Sequence, residues 1–393
     1  RMIARVPGRL AIVSIVGGTV FSSLSGSTVA NTAILGKVLL PDMLRRGYKP
    51  AIAMGPIMAV GGIAMLIPPS SLAVLLASIA QKSVALLLVA GIIPGFLMAM
   101  SFFAYVIIRC TLNPDLAPAY DPDTSYLDRP LTIAVNTRRG TIWTRTYKGR
   151  WLRMVNRLLP TLVYILPLFS IFVVVVGSIF TNWASPTEAA AMGCLAALGA
   201  CLFFRLFKNK ITITGIEGAD FGWAEIGKAL METAKVNTMI IFIIAGSLVF
   251  TQAMAVSGAT QGLLQALTAL DLSPMSVVLF MILILLFLGA FMDQVSMLLL
   301  TLPFFLLGPT SLQAIYGIDP IWLMVLILIT MEIGLLTPPF GLLLFVMRGV
   351  APDGITIGQI INSALPFILI ELAVLALLIF VPSVATWLPN LIK

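Results

Sequence analysis

The chain of 393 residues contains no histidine, and only 10% of it is charged. Without imidazoles there is no His-based zinc site, no Ser-His-Asp triad and no histidine proton relay. Cysteine is nearly as scarce. Cys110, Cys194 and Cys201 show no metal-ligand spacing, and disulfides are not expected. Acidic residues number 16 against 24 Lys and Arg, a net charge of +8. That excess suits nucleic acid in principle, but the basic residues cluster in a few segments, as orientation signals do in membrane proteins. No signal-peptide pattern is visible. The sequence opens on Arg1 at what reads as the edge of a helix, so a chain truncated at its start is the expectation.

What fills the space is apolar. Hydrophobic residues make up 60% of the chain and mean hydropathy is +1.07. Apolar runs of about 20 residues read as membrane-spanning helices. They occur at 50–80, 83–108, 160–181, 187–206, 228–256, 274–292, 320–347 and 358–386. The expected fold class is therefore an all-α polytopic membrane protein.

The charges suggest a topology. Segments 10–24 and 29–44 are short for full crossings, and basic residues flank both: Arg1, Arg5 and Arg9 before, Arg45, Arg46 and Lys49 after. They read as a re-entrant hairpin with its tip at Ser25-Gly26-Ser27. Span 50–80 then leads out and 83–108 back, to an Arg-rich hydrophilic stretch at 109–157. That stretch is expected to be a solvated cytoplasmic loop, with Trp151 to Arg157 as an amphipathic surface helix. A second hairpin, at 274–308 around "FLGAFMDQVSM", lacks flanking positive charge and enters from the opposite side. In this arrangement only Lys82 and Lys393 lie outside, Lys37 falls within a hairpin arm, and the other 21 Lys and Arg are inside.

An internal repeat supports the arrangement. "GYKPAIAMGPIMAVGGIAMLIPPSSL" (47–72) lies over "GIDPIWLMVLILITMEIGLLTPPFGL" (317–342) without gaps. Gly47 meets Gly317, Pro50 meets Pro320, Leu66 meets Leu336, and Pro68-Pro69 meets Pro338-Pro339. Each copy follows a hairpin, and the two begin on opposite sides. Inverted repeats with broken helices characterise secondary transporters. The organisation expected is a first repeat at 1–108, a loop at 109–159, scaffold helices and a loop at 160–227, and a second repeat at 228–393.

The double prolines locate the candidate site. Proline lacks an N–H and clashes with the carbonyl four residues back. Pro68 and Pro69 thus release the carbonyls of Ala64 and Met65, and Pro338 and Pro339 those of Gly334 and Leu335. Ile67 and Thr337, each preceding a proline, should be unwound. Freed carbonyls within a bilayer need partners, and a hard cation such as sodium needs several oxygens. Ser25, Ser27 and Thr28 offer hydroxyls beside Gly26, while Asp293 offers a carboxylate and Ser296 a hydroxyl. Helix N-termini at the breaks suit an anionic substrate, with substrate contacts expected at Gly26, Thr28, Pro68, Ser296 and Pro338. Glu332, an ionisable group inside a span, reads as functional or equally as a structural partner. Plainer roles stay open elsewhere too: Asp293 as a helix cap, Ser25 and Ser27 as small packing residues. "SPTEAA" (185–190) reads as an ordinary helix start, with Glu188 structural.

Together, "SSLSGSTVANTAILGKVLLPDMLRRGYKPAIAM", "LIPPSSL", "AGIIPGF", "SPTEAAAMG", "GAFMD" and "MEIGLLTPPFGLLLFV" resemble the large membrane subunit of tripartite ATP-independent periplasmic (TRAP) transporters, in the family's order along nearly the whole chain. The resemblance implies an elevator-type secondary transporter in the bacterial inner membrane, driven by sodium and using no other cofactor. It implies a small membrane subunit and a periplasmic substrate-binding protein as partners, and an organic acid as substrate. It also implies one sodium site at Ser25, Ser27, Ala64, Ile67 and Pro69, and a second at Asp293, Gly334, Thr337 and Phe340. The family usually has glycine where this chain has Ala64, and the first scaffold helices of the family are expected before Arg1. A binding-protein-independent proton- or ion-coupled anion transporter, and a non-transporting scaffold subunit, are the competing readings.

Overall fold

In the computed structural model, residues 8–68, 70–118, 131–137, 140–147, 152–181, 183–209, 211–213, 221–258, 262, 265, 271–307 and 311–391 are described. The chain divides into two compact units, one of Asp121–Thr238 with Arg1, and one of Met2–Tyr120 with Met239–Lys393.

The larger unit is helical. Helices α1 (Arg9–Ser25) and α2 (Thr28–Arg45) form the first hairpin, followed by α3 (Pro50–Ile63), α4 (Ser71–Ile79) and α5 (Val84–Leu112). After α8 (Trp223–Val256), which contributes to both units, come α9 (Pro274–Gly289) and α10 (Gln294–Phe305), the second hairpin. Then follow α11 (Leu312–Ile315), α12 (Pro320–Leu336), α13 (Leu342–Val350), α14 (Ile357–Phe380) and α15 (Ser383–Asn390). The two apolar stretches that carry Pro-Pro are broken as the prolines require, α3 from α4 and α12 from α13.

Helices α3 and α12 form the centre of this unit. Residues 52–63 of α3 and 321–336 of α12 are buried on every face. A helix apolar all round can be stable only when surrounded. Three glycines let neighbours close on α3 from three directions. Gly55 admits the Ser363 carbonyl and Phe367 of α14, Gly61 admits Thr28 and Thr32 of α2, and Gly62 admits the Glu332 side chain of α12. Small residues at such crossings are the usual means of close helix approach in membranes. The same Phe367 ring meets Phe102 and Tyr105 of α5 edge-on at 5.3 and 5.2 Å. The Trp322 indole of α12 donates to the Leu378 carbonyl of α14 at 2.8 Å.

The smaller unit contains α6 (Leu152–Phe180) and α7 (Pro186–Asn209), which pack together. Helix α7 starts as the sequence suggested: the Glu188 carboxylate accepts from the Ser185 backbone N–H at 2.7 Å and from its hydroxyl at 2.8 Å. Two features differ from expectation. The hydrophilic stretch at 109–157 carries strands β1 (Leu131–Thr137) and β2 (Gly140–Tyr147), joined by β3 (Ile211–Ile213) in an antiparallel sheet of order β2-β1-β3. Its Thr, Ile and Val content gives it the β propensity to do so. The stretch expected as a separate surface helix at 151–157 is, from Leu152 on, the start of the long α6.

Among the described residues, five helical stretches are long and apolar enough to cross a membrane: Val84–Leu112, Leu162–Ile179, Pro186–Leu206, Trp223–Phe250 and Ile357–Phe380. The shorter apolar helices are three of the four hairpin arms, α1, α9 and α10, and the first halves of the broken pair. The 14 residues of α3 reach about 21 Å at 1.5 Å per residue, less than the ~30 Å hydrocarbon core.

Candidate ion and substrate site

Each hairpin tip meets the break that follows it. In the first hairpin the chain reverses through Gly26, whose φ of +58° closes α1. Ser27 then caps α2, its hydroxyl accepting from Ala30 N at 3.3 Å. The Gly26 carbonyl accepts from the Ser71 hydroxyl at 2.7 Å, and Ser71 opens α4 just beyond the first break. Deeper in the hairpin the Ser22 hydroxyl donates to the Val60 carbonyl of α3 at 3.1 Å and accepts from the Asn31 amide.

The second hairpin repeats the design with other groups. The Ala290 carbonyl at its tip accepts from Phe340 N at 3.2 Å, beyond the second break. Gly289 and Gly334 abut with no side chain between them. Phe291 packs against Phe340 at 5.9 Å. The Asp293 carboxylate caps α10, accepting from Val295 N at 3.0 Å and Ser296 N at 3.1 Å, while the Ser296 hydroxyl donates to its other oxygen at 2.5 Å.

At the first break Ile63 ends α3, and its carbonyl accepts from both Leu66 N and Ile67 N. Ala64 and Met65 continue as turn with buried side chains, and no described backbone N–H donates to either carbonyl. Ile67 is a bend and Pro68 is buried; Pro69 and the side chain of Ser25 lie outside the described residues. At the second break Thr337 is extended, as its position before proline requires, and Pro338-Pro339 is cis. Here one expectation needs correcting. The Gly334 carbonyl is not left free, because Thr337 N donates to it at 3.1 Å in a closing 3₁₀ turn. Loss of the proline N–H groups removes the helical donors but does not stop a donor three residues on. The Thr337 hydroxyl is likewise engaged, donating to the Ile333 carbonyl at 2.6 Å.

Of the expected site residues, the structure gathers Gly26, Ser27 and Thr28 against α3 and α4, and Asp293, Ser296, Gly334, Thr337, Pro338 and Phe340 around the second break. The two groups adjoin. The Gln294 amide, next to Asp293, donates to the Met65 sulfur of the first break at 3.4 Å. The register that sets Gly47 on Gly317 also sets Gly62 on Glu332 and Ala64 on Gly334, and Gly62 and Glu332 touch. Equivalent positions of the two repeats thus meet one another two residues before Ala64 and Gly334.

Ser22, Asn31, Ser71 and Gln294 were not singled out from the sequence, because a polar side chain in an apolar segment signals burial but not which partner it finds. Glu371 carried a clear signal, an ionisable group inside an apolar span, the same one that marked Glu332. Among the described residues no group of three or more Cys, Asp or Glu could hold a metal ion. The donors are carbonyls, hydroxyls and isolated carboxylates, a set that fits a hard alkali cation and not a transition metal.

The profile of the tripartite ATP-independent periplasmic transporter DctM component matches residues 1–384. The chain belongs to the DctM family. It is 30% identical over 390 residues to the C4-dicarboxylate TRAP transporter large permease protein DctM of Pseudomonas aeruginosa, covering 99% of this chain and 79% of that protein. It is 29% identical to the ectoine/5-hydroxyectoine large permease UehC of Ruegeria pomeroyi and 28% identical to the sialic acid large permease SiaM of Vibrio cholerae. Each of those matches covers 99% of this chain and 79% of the relative. As a DctM-family protein the chain is a multi-pass membrane permease subunit of a secondary transporter, not an enzyme.

Proposed function

We propose that this DctM-family subunit carries an organic acid across the bacterial inner membrane, coupled to sodium. A periplasmic binding protein delivers the substrate and a small membrane subunit completes the permease. The observation that carries the reading is the paired contact of hairpin tip and broken helix, Gly26 with Ser71 and Ala290 with Phe340. In each pair a hairpin-tip carbonyl accepts a hydrogen bond from the far side of a chain break between apolar helices.

In this reading α1–α2 and α9–α10 are re-entrant hairpins entering from opposite sides. One sodium ion takes its ligands from Ser25, Ser27, Ala64, Ile67 and Pro69, the other from Asp293, Gly334, Thr337 and Phe340. At the second site the Gly334 carbonyl contributes its remaining lone pair, since a carbonyl has two. The substrate carboxylate lies between the tips, near Gly26, Thr28, Pro68, Ser296 and Pro338, where α2, α4 and α10 begin and their N-termini favour negative charge. The unit holding the hairpins then moves as an elevator, exposing the site to each side in turn. The relatives' names span C4-dicarboxylates, ectoine and sialic acid, so the substrate is assigned only as an organic acid.

The test is uptake into proteoliposomes holding both membrane subunits, with the binding protein and labelled acid outside. A sodium gradient is expected to drive accumulation, and Ser27→Ala and Thr337→Ala each to raise the sodium concentration needed for half-maximal uptake. Accumulation that follows a proton gradient and ignores sodium removes the assignment.

A further inference from the structure

Glu332 of α12 and Glu371 of α14 are 1% and 0% exposed, and none of their four carboxylate oxygens has a hydrogen-bond partner. The two helices that carry them pack against each other. The helices around α12 offer little to balance them. No Lys or Arg occurs in α3, α4, α9, α10, α14 or α15. Of the two other helices that pack on α12, α5 bears Arg109, Tyr105 and Cys110, and α13 bears Arg348. Arg109 stands 18 residues beyond Gly91, the point where α5 receives the Leu66 carbonyl, about 27 Å along the helix. Arg348 donates instead to the Ile355 carbonyl at 2.7 Å. A buried carboxyl with neither a cation nor a donor beside it carries its charge only when a cation is bound nearby, and otherwise holds a proton.

The position of Glu332 indicates the source. It lies two residues before Gly334 in α12, and its side chain rests on Gly62, two residues before Ala64 in α3. Two residues are about 3 Å of helix rise, so one carboxylate stands near the Ala64 and Gly334 positions of both broken helices. Glycine at 62 is what allows this, because any Cβ there would overlap the carboxylate. Buried polar groups without partners continue onto the hairpin side, at Asn31 Oδ1 and Thr32 Oγ1, and Thr32 packs on the neighbouring Gly61.

We propose that Glu332 and Glu371 are a shared counter-charge of the two cation sites: positioning residues that touch neither ion, but that add negative charge beside both, to that which Asp293 brings to the second. The proposal rests on the sodium reading given above. Ion ligands built largely from neutral carbonyls and hydroxyls hold a cation in a low-dielectric site only if charge is balanced nearby, and the pair supplies that balance to both sites at once. With the sites empty the pair holds protons instead, so ion loading is what makes the charge bearable and adds to the stability of the central helices.

The experiment measures thermal unfolding of the full chain with its small membrane subunit in detergent, across a sodium titration in constant ionic strength, for wild type, Glu332→Gln, Glu371→Gln and the double variant. Gln keeps size and removes charge. A unit charge roughly 8 Å away at an effective dielectric of about 20 changes ion affinity by roughly thirtyfold. Half-saturation by sodium is therefore expected to rise at least tenfold in each single variant and further in the double variant. The melting temperature without sodium should be equal to or above that of wild type. A lower sodium-free melting temperature with unchanged half-saturation would make the pair merely structural and overturn the proposal. Glu371→Gln, on α14 and so on neither broken helix, keeps the test valid if Glu332→Gln fails to fold. Wild type that gains no stability from sodium would sink the sodium reading itself, a result distinct from a failure confined to the variants.

Discussion

Gly289 and Gly334 meet backbone to backbone: a Cβ on Gly289 would lie 2.8 Å from the Gly334 Cα, and one on Gly334 would lie 2.7 Å from the Gly289 Cα. The second hairpin therefore touches the central broken helix at a point where neither can bear a side chain. The contact brings the tip carbonyl of Ala290 to Phe340, across the Pro-Pro break. It also makes the approach of α9 to α12 all-or-none, since backbone atoms have no rotamer to give way.

Gly289→Ala is accordingly expected to push α9 from α12 and cost about 1–3 kcal/mol, the usual range for overpacking a tight core. Thermal unfolding checks the stability. Sodium-dependent uptake should fall more steeply than stability, because the hairpin tip moves with the helix. A stable variant with normal uptake would show that this contact does not position the site.

The repeat was legible in the sequence because proline and glycine act through the backbone. Pro68-Pro69 and Pro338-Pro339 predict a break wherever they stand, and both breaks are present. The two helix pairs were legible from segment length and, in the first, from the Ser-Gly-Ser turn, while their re-entrant course belongs to the proposed function. Less legible was who satisfies whom. The Gly334 carbonyl looked free because the rule counts donors lost to proline, and takes no account of Thr337 N returning in a tighter turn. Ser71 and Gln294 gave no sign of their partners, which lie 45 and 229 residues away in the chain. The sheet at β1–β3 was missed because the abundance of Arg, Asp and Pro around it outweighed its short β-branched runs.

Asp293 combines two roles that separate cleanly. As a cap it receives Val295 N and Ser296 N, a function Asn performs as well. Asp293→Asn should therefore unfold within about 0.5 kcal/mol of wild type, whereas Asp293→Ala loses roughly 1 kcal/mol. Both should weaken sodium dependence of uptake if the carboxylate is an ion ligand. Normal sodium dependence in Asp293→Asn leaves the residue as a cap alone.

Ser22 is the link between the first hairpin and α3. Its hydroxyl donates to the Val60 carbonyl and accepts from the Asn31 amide, with both Ser22 and Asn31 fully buried. Ser22→Ala strands the Asn31 amide, a loss of about 1–3 kcal/mol. The double variant Ser22→Ala with Asn31→Ala should lose less than the sum of the singles, because no donor is then left without its acceptor. Additive losses in thermal unfolding would show that the two side chains do not act as a unit.

Ser71 tests the tip-to-break contact most directly. It is exposed, so its hydrogen bond to the Gly26 carbonyl at 2.7 Å is worth only about 0.5–1.5 kcal/mol to folding. Its place gives it more weight in transport, since it joins the first hairpin tip to the helix that resumes after Pro68-Pro69. Ser71→Ala is expected to leave the melting temperature nearly unchanged while raising half-saturation by sodium several-fold. Ser71→Thr, which keeps the hydroxyl, should restore it. If the alanine variant binds sodium as wild type does, the tip is held by the buried Ser22 and Asn31 contacts instead, and the first site is organised from below the hairpin, not from across the break.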